Sequence, residues 1–264
     1  MSRYEEIDWY DTPRYYDLIF DPGTQDEADF LEAVQAKYGK TRGKAVLEPA
    51  CGSGRLVAEM ARRGWKAAGF DLSPPMLEYA RTRLAKSGLK ARLKTARLED
   101  FEYRNRFDLA HCLVSTFKYV LDAKGARSHL QCVANSLKPG GLYVLGFHLS
   151  NYGSESVERE RWVESRAALK VICNTQTWPP ERKLRRERVR NRLQITDRGR
   201  ELRSETEWYF RTYDAAQVRR LFRQVPEFEL VAVHDFLYEV DWTGKLDGKH
   251  DDCVFVLRRR EADG

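Results

Sequence analysis

The stretch KAVLEPACGSGRL, Lys44 to Leu56, decides how the chain is read. A short apolar run meets a carboxylate, Glu48. A cluster of small residues with two glycines follows, and then a helix-like segment. Small residues at a strand-to-helix turn let the backbone approach a ligand closely. The helix that follows presents unpaired N–H groups at its first turn. In an open α/β sheet such a turn lies at the carboxyl ends of the strands, where ligands bind. Alone the signal is weak, because many tight turns contain two glycines.

Outward from this turn, short strands and helices alternate. AVLEPA reads as a strand, and GRLVAEMARRG as a helix stopped by Gly64. KAAGFDL is a strand, and PPMLEYARTRLAKSG a helix with Ser73 as N-cap and Pro74 in its first turn. KARLKTA is a weaker strand, RFDLAHCLV a strand, AKGARSHLQCVANSL a helix and GLYVLGFHL a strong strand. This alternation over Ala45 to Leu149 predicts a parallel sheet with helices on both faces. Upstream, DEADFLEAVQAKYG spaces Phe30, Leu31, Val34 and Tyr38 as a helix does. From Arg161 to Tyr213 strands follow one another, with DRGR as a hairpin junction. A helix, DAAQVRRLFRQ, and two strands, FELVAVHDF and CVFVLRR, close the chain.

A second carboxylate ends the next strand. Asp71 lies 17 positions beyond Gly54, where it can accept hydrogen bonds from ribose hydroxyls. A helix cap is the competing role, but Ser73 already fills it. The third signal is LKPGGLYVLGF, Leu137 to Phe147: a helix end, a Pro-Gly-Gly turn and a strand. The set resembles the class I S-adenosylmethionine-dependent methyltransferases. VLEPACGSG is similar to that superfamily's first motif, GFDLSPPMLEYA to its second, FDLAHCLVSTFKYV to its fourth and SLKPGGLYVLGF to its fifth. The opening YYDLIF and the strand-rich insertion resemble the small-molecule branch, including the aminosugar N-methyltransferases.

The resemblance implies a Rossmann-like seven-stranded sheet with helices on both faces, a terminal β-hairpin and a small antiparallel insertion. It divides one domain into a helical lid (1–44), a cofactor-binding core (45–150), the insertion (151–213) and a closing helix with strands (214–264). It implies S-adenosyl-L-methionine as cofactor. Glu48, Ala50, Gly52 and Gly54, with Arg55, would hold the methionine part and Asp71 the ribose. Leu72 and Met76 would lie by the adenine, and Leu113 or Val114 by the ribose and methionine chain. Tyr16 would close over the sulfonium. Ala50 stands where the family often has its first glycine, and Glu48 where it often has Asp. Arg97 stands near the family's usual adenine acid. Leu98 can sandwich the ring, and either Glu99 or Asp100 can supply the polar contact.

Methyl transfer needs nucleophile, methyl and sulfur in line with water excluded, and no covalent intermediate. His148, at the end of the fifth strand, is the candidate proton acceptor; packing is the alternative for it and for Tyr16. The implied function is methyl transfer to nitrogen or oxygen of a small molecule. RNA or protein methylation, and cofactor binding without catalysis, are the alternatives. A nicotinamide-dependent oxidoreductase normally needs a third glycine, where this chain has Val57. HCLVSTF, after the fourth strand, lacks the Asn/Asp-Pro-Pro-aromatic run of nucleobase-amine methyltransferases, which disfavours DNA.

Bulk properties agree. The chain has 264 residues, 42% of them apolar, enough for a real core. Five cysteines without a C-x-x-C pair argue against zinc and a disulfide framework and for a reducing, cytoplasmic setting. No metal is expected. No apolar run is long enough to cross a membrane. The net charge of +6 permits anionic partners. The arginine-rich run ERKLRRERVRNR leads into a strand in which Val189, Leu193 and Ile195 share one face with charges mostly on the other, so the run reads as a sheet surface. A monomer or homodimer is expected. The aromatic residues Trp162, Trp178, Trp208 and Tyr209 belong to the inserted sheet and are candidates for a pocket wall, an interface or that sheet's own core.

Overall fold

A computed structural model describes residues 4–261. Strands β1 (Glu5–Glu6) to β12 (Asp252–Arg259) form two sheets. The larger is built on β2 (Ala45–Pro49), β3 (Lys66–Asp71), β4 (Arg92–Thr95), β5 (Phe107–Cys112), β6 (Leu137–His148), β11 (Phe228–His234) and β12. Its order is β11-β12-β6-β5-β2-β3-β4. β12 runs antiparallel to both of its neighbours, and the pairs from β6 to β4 are parallel. β2 sits inside the sheet with β3 on one side and β5 on the other, so its carboxyl end opens at the strand-order reversal, where such sheets bind ligands.

Alternation along the strands fills both faces. Val46, Leu109, Val144 and Val256 pack under α2 (Thr24–Tyr38), α3 (Arg55–Arg62) and α4 (Pro74–Lys86). Leu47, Ala110, Leu145 and Leu257 pack under α5 (Ala123–Ser136) and α6 (Ala215–Phe222). Ser73 caps α4, its Oγ accepting from Met76 N–H at 3.3 Å. Asp214 and Gln217 form a reciprocal capping box at α6. One local expectation is corrected. The Pro-Gly-Gly segment is not a turn ahead of β6 but lies within it, as an irregularity between the Phe107–Leu137 and Leu109–Leu142 pairs.

The second sheet has the order β1-β10-β9-β8-β7, with β7 (Glu158–Arg166), β8 (Leu169–Thr177), β9 (Arg186–Asp197) and β10 (Arg200–Arg211) antiparallel. At DRGR, Arg198 and Gly199 both have left-handed φ, +51° and +80°, as a two-residue hairpin requires. The N-terminal strand β1 pairs parallel to β10, which a purely helical reading of this end missed. Val189, Leu193 and Ile195 are buried, and Leu193 and Ile195 share a cluster with Trp9 and with Leu18 of the lid helix α1 (Pro13–Phe20). Lid and inserted sheet therefore share one apolar core above the carboxyl ends of the parallel strands.

Candidate active site

The turn after β2 is built by conformation first. Ala50, Gly52 and Gly54 all have left-handed φ, +52°, +50° and +70°. The two glycines serve different ends. A Cβ on Gly54 would stand 2.7 Å from the Ala80 Cβ, so Gly54 lets α3 and α4 close up. A Cβ on Gly52 would meet nothing nearer than a Tyr16 ring carbon at 3.8 Å. Gly52 therefore keeps an open space clear, and Tyr16 is its far wall.

That space is a cavity of about 620 Å³, within the usual size of small-molecule sites. Tyr16, Ala50, Gly52, Asp71, Leu72, Leu98, Glu99 and Thr116 line it. A smaller inner pocket shares Tyr16, Ala50, Gly52 and Thr116 and adds Glu48, Arg55, Leu113 and Val114. Most of the residues singled out in the sequence thus converge on one continuous cleft.

The carboxylates differ in what holds them. Asp71 accepts from Gly52 N–H and Ser73 N–H, both at 2.8 Å, so it ties the glycine turn to the start of α4. It is therefore partly a structural clasp, although Ser73 caps the helix. Burial raises its pKa against those hydrogen bonds. Glu48 is different: its Oε2 is buried with no hydrogen-bond partner among the described residues. Burial pushes its pKa up to about 8, against the opposing charge of Arg55. A buried carboxyl oxygen without a partner is satisfied by a cation, and an amino acid ammonium meets that need. Arg55 is committed elsewhere. Its guanidinium grips both Glu27 oxygens at 2.8 Å and Thr24 Oγ1 at 3.2 Å, while still lining the inner pocket.

At the outer end, Leu98 is fixed through its carbonyl, 2.8 Å from His129 Nδ1. His129, on α5, is fully buried between Leu98 and Tyr143. Glu99 lines the cavity, paired with Arg97 at 2.6 Å, whereas Asp100 is exposed and does not. Met76 is corrected: it is fully buried on the Met76–Ala80–Leu84 stripe of α4 and lines neither pocket. Leu72, in contrast, stands 56% exposed at the mouth.

His148 is also corrected. It opens onto a different cavity, lined by Glu158, Glu160, Asp251 and Asp252. Its ring is engaged on both sides: Nδ1 lies 2.9 Å from Ser115 Oγ, and Nε2 lies 2.7 Å from Lys118 Nζ and 3.0 Å from Glu187 Oε1. In either tautomer it is held by protein groups rather than aimed at the Gly52 cleft.

Several cleft residues escaped the sequence reading. Asp17, buried on α1, accepts from Ser53 Oγ at 2.7 Å and from Tyr79 Oη at 3.1 Å and pairs with Arg83, so it anchors the lid to the glycine turn. A lone carboxylate inside the apolar YYDLIF was its signal. Tyr10 and Tyr119 line the cavity and share a hydroxyl hydrogen bond of 2.7 Å; nothing local announced that pairing. Among the described residues no group of His, Cys, Asp or Glu is arranged to hold a metal. All five cysteines are free, and among the described residues no helix is long and apolar enough to cross a membrane.

Residues 46–141 match a family model described as a methyltransferase domain. A ubiquinone biosynthesis O-methyltransferase of Bordetella avium is 31% identical over 42% of this chain and 45% of its own length. The chain spans about half the length of the curated relatives it matches. An S-adenosylmethionine-dependent methyltransferase from Clostridium acetobutylicum superposes with a TM-score of 0.77 at 18% identity, over 96% of this chain and 99% of that one. A sugar N-methyltransferase from a Streptoalloteichus species gives 0.73 at 19% identity, over 99% and 97%. Residues 46–141 thus match a methyltransferase domain, and the chain has the fold seen in S-adenosylmethionine-dependent methyltransferases of known structure.

Proposed function

We propose that the protein transfers a methyl group from S-adenosyl-L-methionine to an amine of a small molecule. The observation that carries the cofactor reading is Glu48: its Oε2 is buried without a partner among the described residues, in the inner pocket that shares Gly52 with the cavity beside Asp71. Glu48 would meet the ammonium, and Arg55 would hold its end of the pocket positive. Asp71 would take the ribose, and Leu98 and Leu72 would flank the adenine, with Glu99 at its polar edge. Leu113 and Val114 would wall the inner pocket. When bound, the cofactor supplies an activated methyl group. The chain's part is to align the acceptor and keep water out.

The acceptor end is the part of the cleft under the inserted sheet, at Tyr10, Tyr16, Thr116 and Tyr119. Asp8, Asp11 and Asp122 also line the cavity, and Asp11 is exposed. Aromatic walls with carboxylates favour a cationic acceptor over an anionic one. The arginine run supports a small molecule over RNA. Arg188 lies 3.8 Å over the Trp178 ring and Arg192 pairs with Glu205 at 2.5 Å, so these cations are used within the sheet. The unpaired cysteines favour a reducing compartment, the cytoplasm.

Calorimetry with S-adenosylmethionine tests the cofactor. The wild type should bind it and not NAD, and Asp71→Asn should lose about tenfold or more by weakening charge-assisted hydrogen bonds. A panel of small amines and catechols, read by mass spectrometry, tests the acceptor. Methylated amines are expected; turnover of catechols alone would overturn the nitrogen reading.

A further inference from the structure

Lys118 is the least expected residue near the cleft. It belongs to the short 3-10 turn Thr116–Tyr119 that follows the β5 loop, and its side chain is fully buried. Its ammonium lies 2.6 Å from Glu187 Oε1, 3.3 Å from the His148 carbonyl oxygen and 2.7 Å from His148 Nε2. It also lies 5.5 Å from the centre of the Phe210 ring. Glu187 and Phe210 come from β9 and β10, so the inserted sheet grips this lysine on two sides. The other oxygen of Glu187 accepts from Ser150 Oγ at 3.2 Å. His148 carries the linkage on: Ser115 Oγ meets both its Nδ1, at 2.9 Å, and its backbone N–H, at 3.3 Å.

Ser115 is the point of interest. Val114 and Ser115 are consecutive non-glycine residues with left-handed φ, +50° and +63°. Such residues persist only where their surroundings over-determine them. Val114 and Thr116 line the inner pocket beside Glu48. A strained segment at the cofactor wall is thus pinned by a buried ion pair whose acidic partner belongs to the second sheet.

We infer that Lys118 and Glu187 are positioning residues of the cofactor pocket: through His148 and Ser115 they hold the Leu113–Thr116 segment in the shape that completes the wall around Glu48. His148 is the spacer of this linkage. The inserted sheet then does more than roof the acceptor. It contributes one charge to the integrity of the cofactor end. The inference rests on the cofactor reading above, but its loop arm can be measured without any cofactor.

The experiment is hydrogen exchange on the full chain, with calorimetry beside it. Ser115 N–H donates to Gly146 O at 3.0 Å and Lys118 N–H to Ser115 O at 2.9 Å, so these amides report the segment. Glu187→Gln should lower their protection about tenfold or more while Leu109 and Val144 amides keep theirs, and should raise the Kd for S-adenosylmethionine about tenfold. Glu158→Gln, in the wall of the neighbouring cavity, should change neither. Removing one partner of a buried pair can unfold a protein, whereas replacing both by apolar residues is often tolerated. The double variant Lys118→Met/Glu187→Leu therefore decides the matter if Glu187→Gln does not fold. It should recover thermal stability but not loop protection, because the bond to His148 Nε2 is gone. Wild-type exchange over 113–118 in the folded variants overturns the inference. A wild type that fails to bind S-adenosylmethionine, with the exchange pattern as expected, overturns the cofactor reading and leaves the linkage standing.

Discussion

The two walls of the cleft are made in opposite ways. The lower wall is the parallel sheet, where each functional residue sits within a few positions of a strand end: Glu48 near the end of β2, Gly52 and Gly54 after it, and Asp71 as the last residue of β3. The upper wall is the lid and inserted sheet, and its fastenings are long-range. Asp17 meets Ser53 across 36 positions, and Lys118 meets Glu187 across 69. The lower wall is held by backbone geometry and the upper one by buried charge. The difference says what each wall tolerates: the first is intolerant of added atoms, the second of removed charge.

The largest effects should come from the glycines, and they should differ in kind. Gly54→Val meets Ala80 and also requires an unfavourable left-handed φ, so the fold itself should suffer, by several kcal/mol. Gly52→Val has room in the empty cleft and is strained only by its φ, at a cost of about 1–2 kcal/mol. It should remain folded and lose detectable S-adenosylmethionine binding. Thermal melts and calorimetry on the two variants read this contrast. Equal affinity in folded Gly52→Val would make the turn a packing device only.

The legibility of the two walls follows the same division. Strand–turn–helix chemistry is local, so the glycine turn, Asp71 and the Ser73 cap could be read from neighbouring residues. Met76 was misplaced because its position near the motif outweighed its periodicity; Met76, Ala80 and Leu84 are spaced as a buried stripe. His148 was correctly set at a strand end, but its direction depends on Lys118 and Glu187, which no local pattern brings together. β1 pairs with a strand about 200 positions away, and two residues carry no period to detect.

Buried titratable groups on the lower wall give a pH signature with two limbs. Burial lifts the Glu48 carboxyl to about 8, above its unfolded value of 4.5. The folded state then holds more protons between those values, so its contribution is full below about 4.5 and is lost as pH rises toward 8. His111 acts oppositely. It is buried, its ring nitrogens have no partner among the described residues, and burial lowers it from 6.5 to about 3. Its contribution is full above 6.5 and is lost as pH falls toward 3. Glu48→Gln should flatten the alkaline limb of the stability profile, on the order of 2–4 kcal/mol at pH 8. His111→Leu should flatten the acid limb by a similar amount. Calorimetric melts from pH 4 to 9 read both. A bound ammonium favours the charged carboxylate, so cofactor binding to the wild type should release a proton below about pH 8, and Glu48→Gln should abolish that release.

The smallest expected effect lies at the outer rim, where neither geometry nor buried charge governs. Glu99 and Asp100 were equivalent candidates for the adenine edge, and only Glu99 lines the cleft. Its carboxylate is 29% exposed and already paired with Arg97, itself 61% exposed. A solvent-screened pair of this kind contributes roughly 0–1 kcal/mol. Glu99→Gln keeps an acceptor at the same place, so S-adenosylmethionine affinity should fall by no more than about fivefold, the equivalent of about 1 kcal/mol. Asp100→Asn should leave affinity unchanged, because its side chain does not face the cavity. Titrating both variants by calorimetry separates the outcomes. A larger loss in Asp100→Asn would mean that the segment after β4 rearranges around the adenine, and that the rim, like the upper wall, takes its shape from contacts remote from the motif.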